Sequence, residues 1–154
     1  MSYRDIGLLY IGGQRVDTAA HRDILHPADG TVVRTVAEAQ ANDTIAAIAA
    51  ARAAFEGPLW SSFSPADRGD LLERVADILE RDTPVFAEAE SGDTGKRLVE
   101  SHYDLADVIS VFRYFAGLAR TPHIREVDTG RDGVHSRIVT EPVGVVAMIT
   151  PWNY

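Results

Sequence analysis

The segment at positions 150–154, Thr-Pro-Trp-Asn-Tyr, combines residue types that could take part in ligand chemistry. Pro151 fixes the backbone, Trp152 adds a bulky ring, and Asn153 carries an amide NH₂ group that donates hydrogen bonds at any working pH. An apolar run at 143–149 precedes the segment, and ligands of parallel α/β sheets bind beyond the carboxyl ends of the strands. Two interpretations stay open from these residues alone: a turn that closes a strand, or a binding segment.

Two other patterns suggest chemistry but fail on spacing. Gly92–Lys96 superficially resembles a phosphate-binding loop, but that loop needs a glycine where this chain has Glu90 and a Ser or Thr where it has Arg97. The five histidines neither pair at helical spacing nor cluster with carboxylates, so they predict no metal site; they are His21, His26, His102, His123 and His135. The chain also contains no cysteine, so it has no thiol nucleophile.

The composition is typical of a globular domain and excludes some partners. The 15 Lys+Arg and 23 Asp+Glu residues give a formal net charge of −8, which disfavours binding to nucleic acid or to an anionic membrane. No segment approaches the roughly 20 apolar residues of a membrane span. The first ten residues lack the pattern of a secretory signal peptide, and we expect a cytoplasmic protein.

Two hairpins are predicted within the first forty residues. The apolar run 8–11 is broken by Gly12-Gly13, which predicts a turn into 14–16. A second turn at 26–30 contains a proline and a glycine and leads into a β-branched strand at 31–36.

Four helices are predicted in the next part of the chain. The signals for the first three starts are Asn42 or Asp43, Ser64-Pro65 and Thr83-Pro84. We expect the third helix to end near Ser91 and the fourth to run from Leu98 to Leu118, with its aromatic side chains in the core.

The last part of the chain predicts strands. Residues 137–140 form one candidate. The run 143–149 is apolar without alternation, which is typical of a strand buried on both faces in a parallel sheet. Such a strand needs parallel neighbours reached by crossover connections, so we expect an α/β domain that continues beyond residue 154.

Several segments, in the same order, resemble those of the aldehyde dehydrogenase family. Glu141–Tyr154 is similar to the family's Pro-x-Gly-Val-Val strand followed by Pro-Trp-Asn-(Phe/Tyr), and Glu90–Lys96 to its Glu-(Ser/Thr)-x-Asp-Thr-Gly-Lys. His26 stands where the family usually has Asn. Further similar positions are Tyr10–Gly13, Pro27–Gly30, Ala49–Phe55, Trp60, Arg68 and Arg113–Gly117.

The resemblance implies an α/β fold that is the N-terminal part of an aldehyde dehydrogenase: small β elements, a helical bundle and the start of a parallel Rossmann-like sheet. Residues 1–121 are expected to supply strands and helices of the cofactor-binding domain. Residues 122–141 are expected to form a β arm for oligomerisation. Residues 142–154 are expected to form the first buried strand and the cofactor and oxyanion loop. A homodimer or homotetramer is implied for the full-length protein.

The resemblance also implies roles for the segment after the strand. Asn153 is similar to the asparagine whose amide donates to the oxyanion of the thiohemiacetal. Tyr154 resembles the tyrosine that, in betaine-aldehyde and amino-aldehyde dehydrogenases, contributes to an aromatic box around an ammonium group. The backbone implied to line NAD or NADP belongs to Ile149, Thr150, Pro151 and Trp152.

A monovalent cation such as potassium is implied in the same relatives. Main-chain carbonyls near Leu25 and at Asp93 would hold it. The alternative for Asp93-Thr94-Gly95 is an ordinary helix end.

The implied reaction is NAD(P)-dependent oxidation of a small-molecule aldehyde to a carboxylic acid through a cysteine thiohemiacetal. Because the 154 residues contain no cysteine, this chain alone is expected to be inactive. Two alternatives stay open: a truncated, non-catalytic interaction module that pairs through an exposed strand at 143–149, and a reductase or semialdehyde dehydrogenase of the same family.

Overall fold

The computed structural model describes residues 7–121 and 124–151. In this part of the chain, three two-stranded antiparallel hairpins accompany a group of helices. In chain order the elements are β1 (Leu9–Ile11), β2 (Gln14–Val16), β3 (His21–Leu25), β4 (Val32–Ala37), α1 (Ala41–Glu56), α2 (Pro58–Ser61), α3 (Pro65–Arg81), α4 (Thr83–Thr94), α5 (Leu98–Ala119), β5 (Ile124–Val127) and β6 (Ser136–Val139).

The two N-terminal hairpins confirm the turn predictions. Gly12 and Gly13 join β1 to β2 with φ values of 59° and 82°, a conformation that glycine adopts without strain. Between β3 and β4, the Gly30 N–H donates to the His26 carbonyl at 2.9 Å, and Asp29 Oδ1 accepts from the Thr31 N–H at 2.9 Å. Local turn chemistry therefore accounts for both hairpins.

The helix starts agree with the prediction at Ser64 and differ by a few residues elsewhere. Ser64 and Asp67 form a reciprocal capping box at α3, with Pro65 in the first turn. The first helix is capped by Gln40, not by Asn42 or Asp43; the Asp43 carboxylate instead accepts from the Gln40 N–H at 2.8 Å.

The third predicted helix is α4, and it ends later than expected. Its N-cap is Asp82, and it continues past Ser91 to Thr94, where Gly95 at φ 73° stops it. The short helix α2 has no counterpart in the sequence prediction.

Helix α5 packs against α3 and α4, and small residues bring the helices close together. Ala76 of α3 and Ala116 of α5 are fully buried, and Gly69 lies directly against the Ala116 carbonyl. Ion pairs cross the same interface, with Arg113 Nη2 2.7 Å from Glu80 Oε2. None of the helices in the described residues is both long and apolar enough to span a membrane.

The prediction that the α5 aromatics lie in the core is wrong for most of them. Tyr103 and Phe115 are more than half exposed, and Tyr114 is exposed as well, whereas Phe112 is half-buried. The buried positions are Ser101, Leu105, Ile109 and Ala116. Helix α5 carries apolar residues around most of its circumference, and α3 and α4 cover only one side of it.

The prediction of a strand at 143–149 is also not met. The structure forms no strand there, and Val143 and Ile149 are 92% exposed. The described strands pair only within their three hairpins, so nothing in the described part of the chain supplies the neighbouring strand that an inner strand needs. The parallel sheet expected from the resemblance is correspondingly missing from the described residues.

Candidate functional site

Residues 149–151 end an exposed segment that follows β6. Ile149, Thr150 and Pro151 are exposed, and in the described part of the chain no backbone group of 142–151 forms a hydrogen bond with another segment. Their main-chain N–H and C=O groups are therefore available to a ligand, except at Pro151, which has no N–H. Trp152, Asn153 and Tyr154 lie outside the described residues.

The same segment passes beside the C-terminal half of α1. A Cβ atom added at Gly144 would lie 3.9 Å from Arg52 Nη1, and the Gly144 φ of 119° is one that other residues rarely adopt. The Arg52 side chain is held in turn by Glu56, with Nε 2.6 Å from Oε1. A cation thus lies within a few ångströms of the segment expected to meet an anionic cofactor.

The two residues proposed to hold a cation lie on adjoining elements. Leu25 ends β3, at a register shift in its pairing with β4. The hairpin β3–β4 contacts the C-terminal end of α4, where Arg34 Nε is 3.5 Å from Asp93 Oδ1. A Cβ added at Gly95 would lie 3.4 Å from Pro27, which shows how closely the turn approaches the helix end.

The end of α4 presents main-chain oxygens rather than a cluster of metal-binding side chains. Asp93 lies in the last turn of the helix, where carbonyl groups lack helical partners and carry partial negative charge. Among the described residues, no group of three or more His, Asp or Glu side chains could hold a metal ion. Any cation here would therefore depend on carbonyl oxygens.

Sequence reasoning missed a charged cluster next to this helix end. Lys96, the only lysine in the chain, is half-buried between two carboxylates: its Nζ is 3.1 Å from Glu90 Oε1 and also bonds Asp104 Oδ2. The hydrogen bonds from Asp104 and then Glu90 raise the pKa of Lys96 above its usual value. The residue spacing could suggest the Glu90 contact, but Asp104 reaches Lys96 only because α5 folds back beside α4.

This cluster closes the turn between α4 and α5 together with two hydroxyl bonds. Ser91 Oγ donates to the Lys96 carbonyl at 2.7 Å, and Thr94 Oγ1 donates to the Glu90 carbonyl at 2.7 Å. These bonds fix the backbone around Asp93. The motif from Glu90 to Lys96 thus has a structural explanation that needs no ligand.

The concave surfaces of the described residues lie away from residues 149–151 and from the α4 end. A groove of about 450 Å³ is enclosed by α1, α2 and α3 and is almost entirely apolar; it is lined by Ala54, Phe55, Leu59, Trp60, Phe63 and Leu71. A second depression of about 480 Å³ lies between α3, α4 and α5 and contains His102 and Arg113. Neither includes a residue that the sequence singled out for chemistry.

Comparison with known proteins agrees on one family. The model of the "Aldehyde dehydrogenase family" matches residues 15–154. A betaine aldehyde dehydrogenase of Bacillus subtilis (strain 168) is 40% identical over 148 residues, which cover 95% of this chain and 30% of that protein. An aldehyde dehydrogenase of Emericella nidulans is 42% identical over 132 residues, covering 85% of this chain and 26% of that protein.

Solved structures give the same result. The crystal structure of betaine aldehyde dehydrogenase from Staphylococcus aureus in complex with NAD⁺ superimposes with a TM-score of 0.83 at 39% identity, over 89% of this chain and 28% of that one. The chain therefore spans less than a third of the length of the proteins it matches.

Proposed function

Because the chain belongs to the aldehyde dehydrogenase family and has the α/β fold of its N-terminal portion, we propose that the protein containing it oxidises an aldehyde to a carboxylic acid. The observation that carries the proposal is the match through residue 154, joined to 40% identity with a betaine aldehyde dehydrogenase. NAD⁺ or NADP⁺, when bound, accepts the hydride released from the aldehyde carbon.

Residues 149–154 supply this chain's share of the site. The main chain of 149–152 binds the cofactor, and the exposed, unbonded backbone of 149–151 supports that role. The Asn153 amide donates a hydrogen bond to the oxygen that becomes negative when the aldehyde is attacked. The attacking thiolate and the glutamate base must come from outside these 154 residues, because the chain has no cysteine. The 154 residues alone are therefore inactive.

The substrate is a small aldehyde with a cationic group, such as betaine aldehyde or an amino aldehyde. Tyr154 supports this choice, because an aromatic face attracts an ammonium group by roughly 0.5–2 kcal/mol. The names of the similar proteins from Bacillus subtilis and Staphylococcus aureus agree with it. A panel that includes neutral aldehydes, and the reverse reduction, separates this substrate class from a semialdehyde dehydrogenase or a reductase.

A potassium ion at the α4 end is part of the same proposal. The carbonyls near Leu25 and at Asp93 fit a monovalent cation, because they are neutral oxygens on two elements that touch. Arg34 occupies the Asp93 carboxylate and leaves the carbonyl as the chemically suitable ligand.

A second candidate function rests on the exposed segment at 143–149. Unpaired apolar backbone can add as a strand to the edge of a partner's sheet. In that case the chain is a non-catalytic interaction module. The two functions differ in one outcome, since only the enzyme oxidises aldehydes.

The test is Asn153→Ala in the protein expressed from the complete reading frame that encodes this chain. We expect kcat to fall by about 10²–10³ with betaine aldehyde, while the Kd for NAD⁺ changes little, because the amide acts on the developing oxyanion. Stopped-flow NADH formation and cofactor titration measure the two quantities. Asn42→Ala is the matched control, because Asn42 is an exposed residue of α1 and the only other asparagine. Unchanged kcat in Asn153→Ala contradicts the oxyanion role, and an absence of aldehyde oxidation by the unaltered protein contradicts the function.

A further inference from the structure

Three arginines among the described residues are half-buried, and one of them differs from the other two in its partners. Arg34 pairs with Asp93 at 3.5 Å and Arg113 pairs with Glu80 at 2.7 Å. Arg68 of α3 has no carboxylate within ion-pair distance in the described part of the chain. A half-buried guanidinium without an anion is unusual, because its charge is partly removed from water without compensation.

The Arg68 side chain is held in place by an aromatic ring. Its Cζ lies 5.5 Å from the centroid of the Trp60 ring, which is a cation–π contact. Its Nε–H is buried and has no hydrogen-bond partner among the described residues. Trp60 is itself supported by Phe63, whose ring centroid is 5.5 Å away. The guanidinium is therefore preorganised with unused donors.

Trp60 and Phe63 also form one wall of the apolar groove described above. The groove has a volume of about 450 Å³. Leu71, one helical turn from Arg68 on α3, lines the same groove, and Leu59 at its rim is 75% exposed. The cation thus borders a surface that contains almost no other polar group.

The apolar surface continues along α1 beyond the groove. Ile45 and Ile48 precede Phe55 on one face of the helix at spacings of three and seven residues, and they are 64% and 54% exposed. None of the 16 residues of α1 is buried. An apolar stripe of several helical turns is longer than a small ligand and suits a polypeptide.

We propose that the groove of α1, α2 and α3 binds a polypeptide segment that carries a carboxylate flanked by apolar side chains. The carboxylate bonds the Arg68 guanidinium, and the flanking side chains fill the groove beside Trp60 and Leu71. Charge complementarity favours this occupant over a purely apolar one, because only a carboxylate satisfies the buried Nε–H and balances the charge together. The proposal does not depend on catalysis.

The test uses two peptides that differ by one charge, acetyl-Leu-Glu-Leu-amide and acetyl-Leu-Gln-Leu-amide. Each is titrated into the ¹⁵N-labelled 154-residue chain and followed by amide chemical shifts. We expect shifts confined to α1, α2 and the first half of α3, and binding of the Glu peptide about tenfold tighter than the Gln peptide. Decanoate is titrated in parallel as an apolar carboxylate without a backbone.

Three variants assign the charge preference to one residue. Arg68→Gln removes the preference for the Glu peptide, and Arg68→Lys, which keeps a positive charge, retains part of it. Arg74→Gln leaves it unchanged, because Arg74 is an exposed arginine of the same helix. The proposal is overturned if neither peptide binds, if the two bind equally, if shifts occur elsewhere, or if only decanoate shows the charge-dependent shifts.

Discussion

At the scale of single residues, Lys96 shows how a motif can be explained by packing. Its ammonium bridges Glu90 of α4 and Asp104 of α5, so one side chain joins two helices across a turn of three residues, 95–97. Removing the ammonium would leave two half-buried carboxylates near each other without a cation. Lys96 is therefore expected to matter more for the position of the α4 end than for any direct contact with a ligand.

The pKa of Lys96 gives a prediction about stability and pH. Because its folded-state pKa lies above the unfolded value of about 10.4, its stabilising contribution is complete below that pH and is lost as the pH rises through the folded-state pKa. We expect Lys96→Met to lower the free energy of unfolding at neutral pH. The difference from the unaltered chain should shrink above about pH 10.4. Urea unfolding over this pH range measures both effects.

A direct measurement is simple because the chain has only one lysine. ¹³C-lysine labelling gives one side-chain signal whose titration reports the pKa. Arg97→Met is the control, because Arg97 is exposed and pairs only with Glu100 one turn away, so it should change stability less. A normal Lys96 pKa, or equal effects of the two substitutions, would contradict the bridging role.

Local chemistry explains why some residue predictions succeeded. Gly12-Gly13, Pro27 with Gly30, and Ser64-Pro65 act through their own backbone and side-chain bonds, which the sequence displays directly. The cap of α1 was misassigned because Asn42, Asp43 and Gln40 all offer suitable oxygens, and only the folded backbone selects Gln40. The positions of Asn153 and Tyr154 stay predictions from the family resemblance.

At the scale of helices, Gly69 and Gly117 form a matched pair. Both are helical glycines, one in α3 and one in α5. A Cβ at Gly69 would lie 2.8 Å from the Ala116 carbonyl oxygen, whereas a Cβ at Gly117 would meet nothing within 4 Å. Alanine is favoured over glycine in a helix by about 1 kcal/mol.

We therefore expect opposite effects from the same substitution. Gly69→Ala should destabilise the chain by about 1–3 kcal/mol, because the helix axes must separate to admit the methyl group. Gly117→Ala should stabilise it by up to about 1 kcal/mol. Chemical denaturation with matched slopes measures both. Stabilisation by both substitutions would show that α3 and α5 are less closely packed than the structure indicates.

Apolar periodicity predicted the existence of α3, α4 and α5 but not what covers their faces. Tyr103 and Phe115 were expected in the core because an apolar helix face usually packs against something, yet α3 and α4 cover only the face of Leu105 and Ile109. Residues 143–149 failed as a strand for the same reason, since a strand requires a hydrogen-bonded neighbour as well as apolar side chains. Contacts that depend on distant segments are not encoded in a local pattern.

At the scale of the whole molecule, the hairpin β5–β6 protrudes as a separate unit. It pairs only with itself, and its apolar residues Ile124, Ile138 and Val139 are about half exposed. An isolated two-stranded hairpin is marginally stable in water, so it needs a surface to pack against. We propose that residues 122–141 form an arm that contacts a second copy of the protein.

Deleting residues 122–141 from the protein expressed from the complete reading frame tests the arm. Ile124 and Val139 are paired across the hairpin, so a short Gly-Ser link can join the flanking residues without strain. Light scattering should show a dimer or tetramer for the unaltered protein and a smaller species for the deletion. A control with serine at Arg131 and Asp132 changes only the exposed tip between the strands and should keep the full mass. The same mass in the deletion and the unaltered protein would rule out the arm, because an interface that survives its removal must be formed by other surfaces.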